Sequence, residues 1–271
     1  MIILTGAFVA GLLGSLTGLG GGFIIIPLLT LVFHIDIRYA IGSSLVAVIA
    51  TSSGSAAAYV KEGITNIRLG MFLEIATTTG AVTGAVLTAY IPTSMIAILF
   101  GILLLFSAAM TLRKKEDHIE TTKTNHLAEK LRLNSSYPTA AGKVAYTVHH
   151  VPGGYLMMTL AGLLSGLLGV GSGALKVLAM DHVMRIPFKV STTTSNFMIG
   201  VTAAASAVIY FQRGYIDPGL SMPVMLGVLA GAFVGSRVLV QSDIKWLKPL
   251  FTAILIVLAM EMIYNGWFKK I

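Results

Sequence analysis

The sequence predicts an all-α membrane protein made of two homologous repeats, and three observations carry that expectation. Of its 271 residues, 55% are hydrophobic and 11% charged, with the polar residues gathered into short breaks between long apolar runs. A hydrocarbon core of ~30 Å needs about 20 apolar residues per helix. Sliding the chain along itself by 151 positions superposes residues 10–110 on 161–261 without a gap. A glycine-rich interruption stands inside the first apolar run, and again at the matching place in the second half.

Eight apolar runs reach spanning length: 2–32, 40–60, 69–90, 93–112, 153–180, 190–211, 219–240 and 246–266. The first has no basic start and is too long for a secretory signal, so it is expected to stay in the mature protein. As one helix it would measure roughly 46 Å at 1.5 Å per residue, too long for a straight span. The self-match joins Gly11 to Gly162, Gly18 to Gly169, Gly20 to Gly171, Gly22 to Gly173, Gly63 to Gly214, Gly80 to Gly231 and Gly84 to Gly235, with Ser44 on Ser195 and Tyr59 on Tyr210. Two four-segment repeats, 1–112 and 153–271, follow from it.

Residues 113–152 form a linker outside the bilayer. Within it "HLAEKLRL" suits a short surface helix with Leu127, Leu131 and Leu133 against lipid headgroups or protein, or a partly ordered tether. Seven basic residues (Arg113, Lys114, Lys115, Lys123, Lys130, Arg132 and Lys143) argue that it is cytoplasmic. If each glycine-rich segment crosses once, the repeats are parallel and both termini lie inside. If each dips in and returns, the repeats are inverted and the termini lie outside. The basic residues divide almost equally well either way, and the length of the first run favours inversion.

Composition also excludes. With no cysteine there are no disulfides, thiolate metal sites or cysteine nucleophiles. The net charge of +8 comes from basic residues flanking apolar segments, a topology signal that leaves no stripe for nucleic acid. The six histidines (34, 118, 126, 149, 150, 182) fall in loops or at their edges, which argues against haem, a metal site or an intramembrane base. No serine–histidine pairing or carboxylate pair lies at membrane depth, so an enzyme is not expected. No cofactor is expected either. The partners expected are a small anionic substrate and the lipid bilayer, and a homo-oligomer is compatible with the sequence.

The interruption reads "TGLGGG" at 17–22 and "LGVGSG" at 168–173. Phe23 stands where a dinucleotide fingerprint needs its third glycine, and neither copy has the Gly-Lys-Ser/Thr ending of a phosphate loop. Small residues four apart also let membrane helices pack closely, which suffices for Gly80 with Gly84 and Gly231 with Gly235. Four glycines in five positions weaken a helix by about 1 kcal/mol each relative to alanine, more than close packing needs. Each cluster therefore marks an unwound break, tolerated at membrane depth where backbone is buried or lines a polar cavity. Half-helices restarting near Gly22 and Gly173 would aim free N–H groups at a shared anion site. Thr17, Gly18, Gly20, Gly21, Gly22, Gly169, Gly171, Ser172 and Gly173 are its candidate backbone and hydroxyl donors.

A second polar element opens the next run of each repeat, "IGSSL" at 41–45 and "VSTTTSN" at 190–196. Ser43, Ser44, Thr194, Ser195 and Asn196 can donate to an anion without full charge, or cap and bond back to their own helices. G-x-G-G-G-x-x-x-x-P-L from Gly18 to Leu28, its degenerate copy about 150 residues later and the polar run near Ser43 resemble the TauE/SafE family of sulfite and organosulfonate exporters. The likeness spans nearly the whole chain. It implies an eight-segment bacterial inner-membrane carrier of small sulfur-containing anions. The second copy departs from the pattern with Ser172 for a glycine, Leu178 at the place of Pro27 and Lys176 opposite Ile25, departures that bear on the substrate.

Lys176 must face protein or water at that depth, and is read as the anion's electrostatic partner, the bland alternative being that it snorkels out or pairs with an acid. Glu74 could carry a proton, although an interfacial carboxylate beside Arg68 is the preferred reading. Arg237 and Glu261 are placed at the interface, and Asp181, His182 and Arg185 in a solvated loop. The expected function is export of sulfite or an organosulfonate, with an anion channel or a carrier of another oxyanion as the alternative.

Overall fold

The computed structural model describes residues 2–17, 21–61, 63–112, 126–139, 142–241 and 247–268. The first apolar run is not one helix. Helix α1 (Ile2–Thr17) ends before the glycine cluster, and α2 (Gly22–Pro27) continues as a π-helical turn, Leu28–Val32. Pro27 lacks an N–H and crowds the carbonyl four residues back, which favours such a widened turn. Proline is not essential to it, because α8 (Gly173–Leu178) runs into the same kind of turn, Ala179–Val183, with leucine at its end.

Three long helices complete the first half: α3 (Ile37–Lys61), α4 (Ile67–Leu87) and α5 (Thr93–Leu112). The second half runs α7 (Val151–Leu168), α8, α9 (Phe188–Gln212), α10 (Pro218–Gln241) and α11 (Leu247–Trp267). Among the described residues, four helical stretches are long and apolar enough to cross a membrane: Ile67–Leu87, Thr93–Met110, Val151–Leu168 and Phe188–Gln212. Shorter apolar stretches occupy Ile2–Leu13, Gly22–Val32, Ile37–Ser53, Pro218–Val234 and Thr252–Trp267.

Helices pair across the two halves: α1 with α10, α4 with α7, α5 with α11 and α3 with α9. Glycine sets the α4–α7 distance, since a Cβ on Gly80, Gly84, Gly162 or Gly166 would collide with a backbone carbonyl of the partner helix. Gly231 of α10 meets the Phe8 carbonyl of α1 in the same way. These contacts also give directions. Gly80 faces Thr159 and Gly84 faces Leu163, so α4 and α7 run parallel; Gly227 faces Leu4 and Gly231 faces Phe8, so α1 and α10 do too. By contrast Gly101 lies on Ala259 and Ile263 while Gly266 lies on Ser94 and Ala97, so α5 and α11 are antiparallel.

The linker corrects two expectations. Among its described residues His126–Lys130 is helical (α6), and it leads into an antiparallel hairpin of β1 (Ser135–Thr139) and β2 (Gly142–Tyr146), so the chain is not purely α-helical. Leu133 is buried, whereas Leu127 and Leu131 are exposed. The segment is not a tether but lies against protein: Ala128, Leu133, Tyr146 and Val148 join Leu69, Leu73, Met158, Met180 and Met184 in a second apolar core. Asp181 and His182 lie in the second π turn instead of a loop, and Arg185 follows it with φ 54°.

Candidate functional site

The two breaks come together. A Cβ on Gly22 would lie 2.7 Å from Ser44 Oγ and 3.5 Å from the Cα of Val170, so the start of α2 abuts the second break. Ser44 holds that contact by donating to the Gly169 carbonyl at 3.0 Å. Gly21 packs against Val228 of α10. Gly18 and Gly20 lie outside the described residues, as does the side chain of Thr17, which ends α1.

In the second break the backbone is left-handed at Gly169 (φ 67°), Gly171 (φ 70°) and Ser172 (φ 44°). Glycine adopts that region freely, but serine is held there at a cost of about 1–3 kcal/mol. Although Ser172 occupies the N-cap position of α8, its hydroxyl makes no cap bond. The residue is 1% exposed and its Oγ has no hydrogen-bond partner. Lys176 stands one turn further along, its N–H bonded to the Ser172 carbonyl at 3.1 Å.

Lys176 does not snorkel: its side chain is completely buried. Its ammonium donates to Thr202 Oγ1 on α9. Thr202 donates in turn to Glu74 Oε1 on α4 at 2.6 Å, with the Met198 carbonyl also in reach at 2.9 Å. Glu74 further accepts from Thr78 at 3.1 Å, and its Oε2 is buried without a partner. The interfacial reading of Glu74 is therefore overturned. Arg68 reaches instead to the Arg132 carbonyl, as six residues along a helix turn a side chain some 120° away, whereas Thr78 at i+4 shares Glu74's face.

The hydroxyls that open the next helices are largely occupied by the protein. Ser43 pairs with Ser221 at 3.1 Å, Ser195 donates to the Gly173 carbonyl at 3.2 Å, and Thr194 accepts from the Asn66 N–H at 3.1 Å. The Asn196 carbonyl accepts from Ser52 at 2.9 Å. These bonds tie α3 and α9 to the breaks and to the start of α4.

Sequence reasoning missed Thr202 and the role of Asn66. Ser191, Ser195, Thr202 and Ser206 recur at helical spacing and are all buried, a polar stripe legible in the sequence once α9 is treated as an internal helix. Asn66 carries no such signal. Its Oδ1 caps α4 through the Leu69 N–H, and its Nδ2 reaches the Leu133 carbonyl at 2.9 Å and Tyr146 OH at 2.8 Å, docking the linker on the α4 terminus. Burial pushes the Tyr146 hydroxyl above its ordinary pKa, with the bonds to Asn66 and Ser135 opposing.

Comparison with known proteins places these features in a family. The family model described as sulfite exporter TauE/SafE matches residues 3–262. The probable membrane transporter protein YunE of Bacillus subtilis is 27% identical over 277 residues, covering 99% of each chain. YdhB of the same organism, also a probable membrane transporter protein, is 28% identical over 237 residues, covering 88% of this chain and 89% of its own. A third, MJ0441 of Methanocaldococcus jannaschii, is 24% identical over 278 residues, covering 97% of this chain and 94% of its own. No solved structure matches. The chain belongs to the TauE/SafE family.

Proposed function

We propose that the protein is a carrier that exports a small sulfur-containing anion, sulfite or an organosulfonate, bound where the two glycine breaks meet. The family and its relatives are named for transport, none as an enzyme. The observation that carries the anion site is Lys176. An ammonium has three donors, and among the described residues Thr202 Oγ1 is its hydrogen-bond acceptor, so two donors are left to hold an anion, with the Glu74 carboxylate one hydroxyl away. The unpartnered Ser172 hydroxyl at the adjoining break supplies a second donor.

Inverted repeats suit alternating access around such a site. Two observations support inversion. Symmetry-related helices α5 and α11 run antiparallel, as a two-fold axis in the membrane plane requires. Helix α3 runs parallel to α10, since Gly42 meets Tyr215 and Ser43 meets Ser221 near both starts, and α1 also runs parallel to α10. With α1 and α3 pointing the same way, α2 has to bring the chain back, which makes α1–α2 a re-entrant pair. The termini then share one face of a bacterial inner membrane, with the basic linker on the cytoplasmic face. A lone anion leaving an inside-negative cell gains about 2.3 kcal/mol per 100 mV, which favours export.

A thermal-shift screen of the purified protein tests the reading, with sulfite, sulfate, thiosulfate, sulfoacetate, taurine and phosphate as ligands. Stabilisation by sulfite or sulfoacetate that is lost in Lys176→Met is expected. Stabilisation by none of the panel would remove the anion site.

A further inference from the structure

The chain Lys176–Thr202–Glu74 joins α8 and α9 of the second half to α4 of the first through one hydroxyl. Thr202 accepts from the ammonium and donates to the carboxylate, so Glu74 occupies the place of a counter-ion to Lys176 while no other anion is bound. Its second oxygen, Oε2, is buried and unpartnered. From α7, Tyr155 packs on Phe72; from the linker, Tyr146 meets Asn66; Arg213, just past the end of α9, binds the Ala85 and Val86 carbonyls at the far end of α4. Arg68, on α4 itself, reaches the Arg132 carbonyl. Among the described residues, Lys176 is the charge that faces Glu74.

We propose that Glu74 is a proton-binding site that couples proton movement to anion movement. The inference rests on the anion site at Lys176. A substrate anion that takes the free donors of Lys176 competes with Glu74 for one positive charge. Two negative groups and one positive group in a dry interior leave a net buried charge, whose desolvation is heavily penalised. Uptake of one proton from bulk solvent by Glu74 restores neutrality: a new O–H bond forms on the carboxylate, and the proton leaves when the anion does. Oε2, with no protein donor to displace, is the oxygen that takes the proton. Anion and proton then cross together and their charges cancel, so the potential that drives a lone anion no longer acts, and export runs on an outward substrate gradient larger than the inward proton gradient.

Calorimetric titration of the purified full-length protein with isethionate, in buffers of different ionisation enthalpy near neutral pH, counts the protons taken up. This monoanionic sulfonate carries no exchangeable acidic proton of its own in that range. Uptake of about one proton per anion is expected for the wild type. In Glu74→Gln, which can still accept from Thr202, isethionate should bind without proton uptake. The wild-type infrared difference spectrum should gain a carboxylic-acid carbonyl band on binding, a band a purely structural carboxylate would not produce. Isethionate binding to the wild type without proton uptake overturns the coupling and leaves the anion site standing, whether or not Glu74→Gln folds. Proton uptake undiminished in Glu74→Gln removes Glu74 as the acceptor. Failure of the wild type to bind isethionate, sulfite or sulfoacetate removes the anion site and the coupling with it.

Discussion

Ser172 combines two costs in one buried residue, a left-handed backbone and a hydroxyl with no partner. Local stability would prefer glycine, the residue at the matching position 21. Ser172→Gly relieves the φ and removes an orphaned polar atom worth about 1–3 kcal/mol. The expected outcome is a raised melting temperature together with weaker binding of sulfite or sulfoacetate, by roughly tenfold for one lost hydrogen bond. A rise in melting temperature with unchanged affinity would make the serine a structural accident. At this scale the sequence exposed Ser172 and Lys176 because each breaks the repeat at a place where the other copy has an apolar or glycine residue. It could not expose Thr202 as the partner of Lys176, since a contact between residues 26 positions apart on different helices depends on how α8 and α9 cross.

Among the helices, the α4–α7 contact is set by glycines whose absent side chains let backbone meet backbone. Gly166→Ala puts a methyl group into the Ala81 carbonyl, an overpacking that costs about 1–3 kcal/mol or more. It is expected to lower the melting temperature of the purified protein, whereas alanine at Gly153 near the start of α7, where the nearest atom is Val183 Cγ1 at 3.4 Å, is expected to cost less. The linker makes a pH-dependent prediction. Because burial raises the Tyr146 pKa above its ordinary 10.0, its contribution to docking is complete below that pH and is lost as pH rises through the folded value. Limited proteolysis of the linker should accelerate above pH 10.0 in the wild type. Tyr146→Phe should flatten that rise. Hydrophobic run lengths located the long helices, but the hairpin escaped because Ser135–Thr139 is polar and its partners, Asn66 and the second apolar core, lie far off in sequence.

For the whole molecule, the expectation of two repeats comes from the 151-residue self-match, which is carried largely by glycines. The relative direction of the halves was not legible, as basic residues balance in either arrangement. The inverted arrangement proposed above rests on close contacts such as Gly101 on Ala259, which only the packed chain contains. The absence of native cysteine makes this testable with Ile2→Cys, Glu129→Cys and Trp267→Cys, all at exposed positions, in intact cells. A membrane-impermeant maleimide should label the first and last from outside and Glu129→Cys only after permeabilisation; labelling of all three from one side would require parallel repeats. The central claim, an anion carrier centred on Lys176, is tested most directly by counterflow in proteoliposomes. Vesicles loaded with unlabelled isethionate should accumulate external 35S-labelled isethionate in a saturable overshoot that sulfite competes away and that Lys176→Met reduces at least about tenfold. Uptake that is absent, that rises linearly without saturation, or that persists unchanged in Lys176→Met would contradict it.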